Sequence, residues 1–304
     1  MKRFPGSVLL LSTLMLFVAA CDGGGNDALV APKIQLQFDV TGLTPLLDGY
    51  HYQGWAKVGF EFIPGESFNV TESGSFTDTA GQFIQKSFIL PVDLTEASII
   101  FITIEGKHVC RLQCFPSDTI VLAGDVTGFG ATLTTSHSMA IGSTFAGETG
   151  EFSLMTLSDN DTSNETSGVW FTTGSPDNLS PGLTLVSPPD GWAYQGWVDT
   201  GTTLLTTGAF ISNTGHDLGR PHSLPDVPPF PGEDFLINAP LGESFPPDLS
   251  GAEVYITMEP LPDDTSDPFG IRILEGQIPA SPQSGTTYSL TSVSVGPSGT
   301  ATIF

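Results

Sequence analysis

The most reactive side chains of the chain lie in one short segment. His108, Cys110 and Cys114 fall within seven residues, and imidazoles and thiolates are ligands of zinc. A structural zinc site needs four ligands, usually in two separated pairs, and the other histidines show no such spacing. In an oxidising compartment a disulfide between Cys110 and Cys114 is the better interpretation, with free thiols and a metal site as the alternatives. We therefore predict no metal site and no cofactor.

A second set of reactive side chains lies in the segment His216–Phe235, which contains five prolines. His216-Asp217 and Arg220-Pro221-His222 could support acid–base chemistry if they met in a cleft. The sequence has no G-x-S-x-G, phosphate-loop or H-E-x-x-H pattern that would position a nucleophile or a catalytic metal. We predict a surface loop here and no catalytic residues. An envelope enzyme that uses this loop is the least favoured alternative.

Two acidic segments carry the oxygen ligands that calcium prefers. They are Asp159-Asn160-Asp161 and Pro262–Asp267. Neither has the EF-hand spacing, with Gly at the sixth position and Glu at the twelfth. We predict solvated turns at both places.

The elements that must position these residues are organised around a repeated motif. Tyr52-Gln53-Gly54-Trp55 recurs as Tyr194-Gln195-Gly196-Trp197, 142 residues later. Gly74-Ser75-Phe76 is likewise matched by Gly208-Ala209-Phe210, and each copy continues to an apolar run that ends in Thr-x-Glu. Matching landmarks in the same order indicate a duplicated module, and two copies predict a pair of domains rather than a solenoid.

The aromatic residues of the motif have two interpretations. Exposed Trp and Tyr rings stack on sugars, whereas buried rings fill a core and need a small neighbour such as Gly54 or Gly196. Because both copies keep the motif, we predict a structural role for Tyr52, Gln53, Trp55 and their counterparts, with Trp55 and Trp197 buried.

The rest of the chain is typical of an all-β protein. Ile34, Leu36, Phe38 and Val40 alternate with polar residues, the period of a half-buried strand. Short apolar runs are separated by many of the 35 glycines and 24 prolines, and no capped amphipathic helix is present. We predict two tandem immunoglobulin-like β-sandwich domains, at residues 33–157 and 168–304. Residues 158–167, which contain no apolar side chain, are predicted to be a linker.

The first residues predict export. Residues 1–20 have a basic start and an apolar run too short for a spanning helix, as in a signal peptide. Val18-Ala19-Ala20-Cys21 resembles the lipobox of bacterial lipoproteins, which implies that Cys21 is lipidated. An ordinary cleavage site is the alternative. Residues 21–32 are predicted to be a flexible tether. The expected location is the bacterial cell envelope, at the periplasmic face or the cell surface.

The charge of the chain restricts its partners. The formal net charge is −24, with 9 basic and 33 acidic residues. Such a protein repels nucleic-acid phosphates and anionic membrane surfaces, so we predict no nucleic-acid partner.

Both copies resemble the extracytoplasmic C-terminal domain of anti-sigma-K-type regulators. The resemblance lies in Tyr-Gln-x-Trp, the later Gly-x-Phe, and a strand that ends in Glu259-Pro260 in the second copy, where the first has Glu105-Gly106. Those regulators also have a cytoplasmic sigma-binding domain and a spanning helix, which we do not find here. The resemblance implies a non-catalytic, membrane-anchored module for sensing or for binding an envelope protein. A surface adhesin that binds a glycan is the alternative.

Overall fold

The computed structural model describes residues 32–106, 115–263, 266–293 and 296–304. The predicted signal peptide, Cys21, and the segment with His108, Cys110 and Cys114 lie outside them. Within the described residues the only helical element is one 3₁₀ turn, Glu165–Ser167, and everything else regular is β-strand. The all-β prediction is therefore confirmed. No helix in this part of the chain has the length and apolar character needed to cross a membrane.

The first sheet is antiparallel throughout and consists mainly of the first half of the chain. Its nine strands are β1 (Gln35–Thr41), β2 (His51–Val58), β3 (Glu61–Val70), β4 (Phe76–Thr77), β5 (Ser87–Ile89), β6 (Ala97–Glu105), β7 (Ile120–Thr127), β8 (Gly130–Thr134) and β19 (Ser298–Ile303). They are ordered β4-β3-β2-β6-β7-β8-β19-β1-β5.

The second sheet repeats the central part of this arrangement. Its eight strands are β9 (Gly150–Leu154), β10 (Val169–Trp170), β13 (Trp192–Asp199), β14 (Leu204–Phe210), β15 (Gly232–Glu233), β16 (Glu253–Pro260), β17 (Ile271–Gln277) and β18 (Thr287–Ser292). Their order is β14-β13-β16-β17-β18-β9-β10-β15, and β11 (Thr172–Ser175) pairs separately with β12 (Asn178–Pro181). In each half the motif strand lies between its hairpin partner and the strand that ends in Thr-x-Glu.

The sheets curl into half-barrel and near-barrel shapes, with their apolar faces inward. On β1 the side chains of Leu36, Phe38 and Val40 are buried and the intervening polar side chains are exposed. The alternation therefore correctly predicts which face of β1 points inward, except that Ile34, the first apolar residue of the pattern, lies before β1 and is 37% exposed. Phe68 and Phe76 stack at 4.3 Å between ring centroids and extend this core.

Strand pairing does not follow the predicted boundary between residues 157 and 158. β9 pairs with β18 and β10 in the second sheet, and β19 pairs with β1 and β8 in the first. Each half thus contributes a strand to the other, and Pro32–Phe304 forms one compact unit. Alternation along a strand determines its buried face but carries no information about which edge it joins.

Candidate functional site

The two Tyr-Gln-Gly-Trp motifs occupy equivalent positions. Trp55 lies opposite Phe101 of β6, and Trp197 lies opposite Tyr255 of β16. In both hairpins the pairing register shifts beside the motif glycine, which indicates a β-bulge. The indoles are only 1% and 2% exposed. Since the motif tyrosines are also buried, none of these four rings presents a stacking surface to a sugar.

Each buried indole starts a hydrogen-bonded chain, here called the tryptophan relay. In the first copy Trp55 Nε1 donates to Thr103 Oγ1 at 2.8 Å, and that hydroxyl donates to Glu105. Ser117 N donates to the same carboxylate at 3.1 Å. The relay therefore connects the motif strand β2 to its neighbour β6, and β6 to Ser117.

The second copy repeats these bonds. Trp197 Nε1 donates to Thr257 Oγ1 at 2.8 Å, the hydroxyl donates to Glu259, and Phe269 N donates to Glu259 Oε1 at 2.9 Å. Glu259 is fully buried, and this burial raises its pKa to about 8, with the nearby Asp263 charge acting in the same direction. The Thr-x-Glu endings were visible in the sequence, but their bonds to the indoles were not predicted.

The other motif residues also make internal contacts. A methyl group on Gly54 would lie 2.5 Å from the Phe38 ring, and one on Gly196 would lie 2.6 Å from the Phe171 ring. The motif hydroxyls donate to backbone carbonyls eight residues earlier, at 2.9 Å for Tyr52 and 2.8 Å for Tyr194. Gln53 and Gln195 each bond to the neighbouring hairpin strand. These contacts support the predicted structural role of the motif.

A cavity of about 280 Å³ lies where the two relays end. Ile104, which lies between Thr103 and Glu105 of the first relay, lines the cavity. Pro260 and Phe269, which lie beside Glu259 of the second relay, also line it. The remaining lining residues come from both copies: Thr44, Pro45, Leu46, Leu47, Tyr50, Glu72, Asp263, Asp267, Pro268 and Gly270. The two halves of the chain therefore build this cavity jointly.

Hydrogen bonds and close packing hold the cavity walls. Asn69 accepts from Leu46 N at 2.9 Å and donates to Leu46 O at 2.7 Å. Tyr52 donates to Thr44 O, so the motif itself fixes this wall. On the other side, Phe269 packs on Trp192 at 6.0 Å between ring centroids. These contacts fix the parts of the cavity wall around Leu46 and Phe269.

The lining combines apolar surface with negative charge. Glu72, Asp263 and Asp267 contribute carboxylates, and no basic side chain is found among the described lining residues. A cavity of this composition suits a ligand with an apolar part and a hydrogen-bond donor or positive group. The sequence does not predict this cavity, because the residues that line it are far apart in the chain.

The segment His216–Phe235 differs from its prediction as a surface loop, because several of its polar side chains are buried. Asp234 is fully buried and accepts from Trp170 Nε1 at 2.6 Å, from Ser158 N at 2.6 Å and from Leu157 N at 3.0 Å. It thereby fastens the start of the predicted linker to the second sheet. Polar atoms that lose water need such partners, and a sequence does not reveal them.

Two more carboxyls in this segment are buried with incomplete hydrogen bonding. Among the described residues Asp217 Oδ1 and Glu233 Oε2 have no hydrogen-bond partner. Burial raises the pKa of Glu233 to about 7 and that of Asp217 well above its ordinary value. His216 contacts Arg220, whereas His222 packs against aromatic rings. The segment therefore buries these carboxyls and His222 while His216 stays exposed, and the two histidines have separate partners.

The carboxylates of the predicted acidic turn at residues 159–161 accept hydrogen bonds from nearby residues. Asp161 accepts from Ser163 N at 3.0 Å, and Asp159 accepts from Asn164 at 2.8 Å, so both carboxylates close local turns. Part of the Pro262–Asp267 segment lies outside the described residues. In the described part of the chain no three His, Cys, Asp or Glu side chains are placed to hold a metal ion.

No known protein family, curated protein or solved structure matches the chain.

Proposed function

We propose that the chain is a non-catalytic binding protein of the bacterial cell envelope, anchored by lipidated Cys21, with the cavity as its ligand site. One observation carries the proposal. The cavity is built by both halves of the chain, directly after two matching relays. A rigid framework that presents loops around a concavity is the usual construction of a binding protein.

The duplicated architecture gives a second line of support. The matching relays, bulges and aromatic contacts fit two β-sandwich modules that arose by duplication and exchanged one strand each. Their resemblance to the extracytoplasmic domain of anti-sigma-K-type regulators favours sensing or protein binding over adhesion. The buried motif rings also weaken the glycan alternative, since stacking on sugars needs exposed rings.

The enzyme alternative at His216–Phe235 has little support from the contacts. Ser223 donates to Glu233 and accepts from Asp234 N at 3.0 Å, so its hydroxyl is already engaged in the framework. A catalytic nucleophile needs a base beside it and access to a substrate. These polar groups are buried instead.

A photocrosslinking experiment in the native envelope tests the cavity. A photoreactive phenylalanine analogue replaces Leu47, an exposed lining residue, or Leu241, an exposed residue outside the cavity. We expect a discrete crosslinked partner at position 47 and none at position 241. The same product at both positions, or none at position 47, would contradict the proposed site. Glycan binding by the purified protein without any crosslinked partner would favour the adhesin.

Mass spectrometry of the mature amino terminus tests the anchor separately. We expect Cys21 to be the first residue and to carry a diacylglycerol and an amide-linked acyl chain. An unmodified Cys21 would contradict membrane anchoring. It would not affect the proposal that the cavity is a ligand site.

A further inference from the structure

One end of the first sheet carries a group of exposed apolar side chains, here called the apolar rim. They are Ile34, Phe60, Ile89, Phe129 and Phe304, with exposed fractions between 37% and 101%. Large apolar side chains that gather at one place on a soluble protein commonly mark a surface that contacts a partner or a membrane.

Strand order places these residues at the same end of the sheet. β2 ends and β3 begins around Phe60, and β7 ends and β8 begins around Phe129. β19 ends before Phe304, β1 begins after Ile34, and β5 ends at Ile89. Because every neighbouring pair in this sheet is antiparallel, these strand ends and beginnings all lie on one side.

The backbone contacts confirm that several rim residues are neighbours. Ile303 N donates to Phe129 O at 2.8 Å, and Phe304 N donates to Gln35 O at 2.9 Å. Gln35 in turn lies opposite Ile89. Neighbouring strands are about 4.8 Å apart, so Phe129, Phe304 and Ile89 extend over about 15 Å of this end.

The two phenylalanines at the hairpin turns are the most prominent members. Each follows a glycine at the first position of a two-residue turn, and Gly59 and Gly128 have φ of 60° and 66°. A glycine at this position is favoured in two-residue hairpins. The turn itself does not require an aromatic second residue, and Phe60 is fully exposed and buries no apolar surface in the fold.

The chain enters the sheet at this same end. Lys33 lies immediately before Ile34, with its ammonium 4.1 Å from the centre of the Phe129 ring. Cys21 to Ala31 is eleven residues, which span at most about 40 Å even when fully extended. If Cys21 is lipidated, the bilayer is therefore within reach of the apolar rim, and the rim is the end of the sheet at which the tether attaches.

We propose that the apolar rim docks on the lipid bilayer that holds Cys21, with Phe60 and Phe129 entering its interfacial layer. The inference rests on the proposed lipidation. A second attachment supplements the acyl anchor by burying apolar surface. Glu61, Asp93 and Glu96 lie at the same end as Lys33 and Lys57, so zwitterionic lipids suit this surface better than anionic lipids.

Docking in this way gives the protein an orientation. The first-sheet residues of the cavity lie where β1, β3 and β6 end and β2 begins, which is the opposite end from the rim. Strands of eight to ten residues separate the two ends by about 25–30 Å. The docked protein would therefore present its cavity away from the membrane.

Quenching of an introduced tryptophan by brominated lipid tests the docking. The full lipidated protein, with Phe60→Trp, is reconstituted in phosphatidylcholine vesicles with brominated acyl chains. Leu47→Trp, at the opposite end of the same sheet, is the matched control. The four native tryptophans are buried and provide a common background. We expect quenching at position 60 to exceed that at position 47 by about threefold or more, with a blue-shifted emission.

The outcomes separate the inference from the proposed lipidation. Mass spectrometry establishes the acyl chains before quenching is measured, and Phe129→Trp gives a second rim position if Phe60→Trp does not fold. Equal quenching at the two ends in lipidated protein would overturn rim docking alone. Absence of the acyl chains would overturn the anchor and, with it, this inference. Cys21→Ser should abolish quenching at both ends.

Discussion

The two tryptophan relays share their bonds but differ in how far they are buried. Glu105 is partly exposed and is followed by Gly106, whereas Glu259 is fully buried and is followed by Pro260. Both carboxylates accept a backbone N–H from the loop that follows. The two copies therefore share the bonding of the motif and differ in how far the carboxylate is buried.

The copies also differ in what surrounds the relay. In the second copy the segment around β15 adds Asp217, Glu233 and Asp234 as buried acids, whereas the described part of the first copy buries no aspartate or glutamate. The second half is accordingly the one whose stability should respond to protonation.

Removing an indole should affect the second copy more strongly. Trp55→Ala and Trp197→Ala each leave a large cavity, with an expected loss of about 3–5 kcal/mol in the free energy of unfolding. Trp197→Ala should lie at the upper end, because the relay that it disrupts ends at the fully buried Glu259, whereas Glu105 is partly exposed. Urea unfolding of both variants, with Trp→Phe substitutions as controls for ring packing, measures the difference. An equal or larger loss for Trp55→Ala would contradict the asymmetry.

The pH dependence of stability should depend on Glu259. In the unfolded chain this carboxyl loses its proton above about pH 4.5, whereas the folded protein keeps the proton until about pH 8. The contribution of Glu259 to stability is therefore full below pH 4.5, declines as the pH rises to about 8, and is constant above that. The loss is on the order of a few kcal/mol.

The matched variants are Glu259→Gln and Glu105→Gln, followed by chemical unfolding from pH 4 to pH 9. We expect Glu259→Gln to flatten the decline more than Glu105→Gln does. The pKa values of Asp217 and Glu233 are also raised, so these carboxyls also lower the stability as the pH rises. Part of the decline should therefore persist in Glu259→Gln. An identical profile in the two variants would contradict the predicted role of Glu259.

The motif glycines should give the smallest effect. A methyl group at Gly54 meets the Phe38 ring, whereas at Gly196 it meets both the Phe171 ring and Thr207 Oγ1, at 2.2 Å. Gly54→Ala and Gly196→Ala should each destabilise by about 1–3 kcal/mol, with the larger value for Gly196→Ala. Gly130→Ala is the control, because its methyl group would lie 3.6 Å from the nearest atom. Thermal unfolding that ranks Gly130→Ala with the other two would refute the steric explanation.

Much of the framework could be predicted from the sequence. The repeated Tyr-Gln-Gly-Trp motif correctly predicted buried indoles, and the alternation at Leu36, Phe38 and Val40 correctly predicted a strand. The cavity could not be predicted, because Leu46 and Phe269 come from distant loops with no shared pattern. Lipidation of Cys21 and the state of Cys110 and Cys114 remain predictions from the sequence.

The sequence by itself determined the β-strands, their inward faces and the duplication, because these depend on local periodicity and on motifs in matching order. Only the tertiary structure decided that β9 and β19 exchange sheets, that Glu259 is buried while Glu105 is not, and that the apolar rim and the cavity lie at opposite ends. These features depend on edge pairing and on loop packing, which join residues far apart in the chain. The hydrophobic pattern of one strand does not specify its partner.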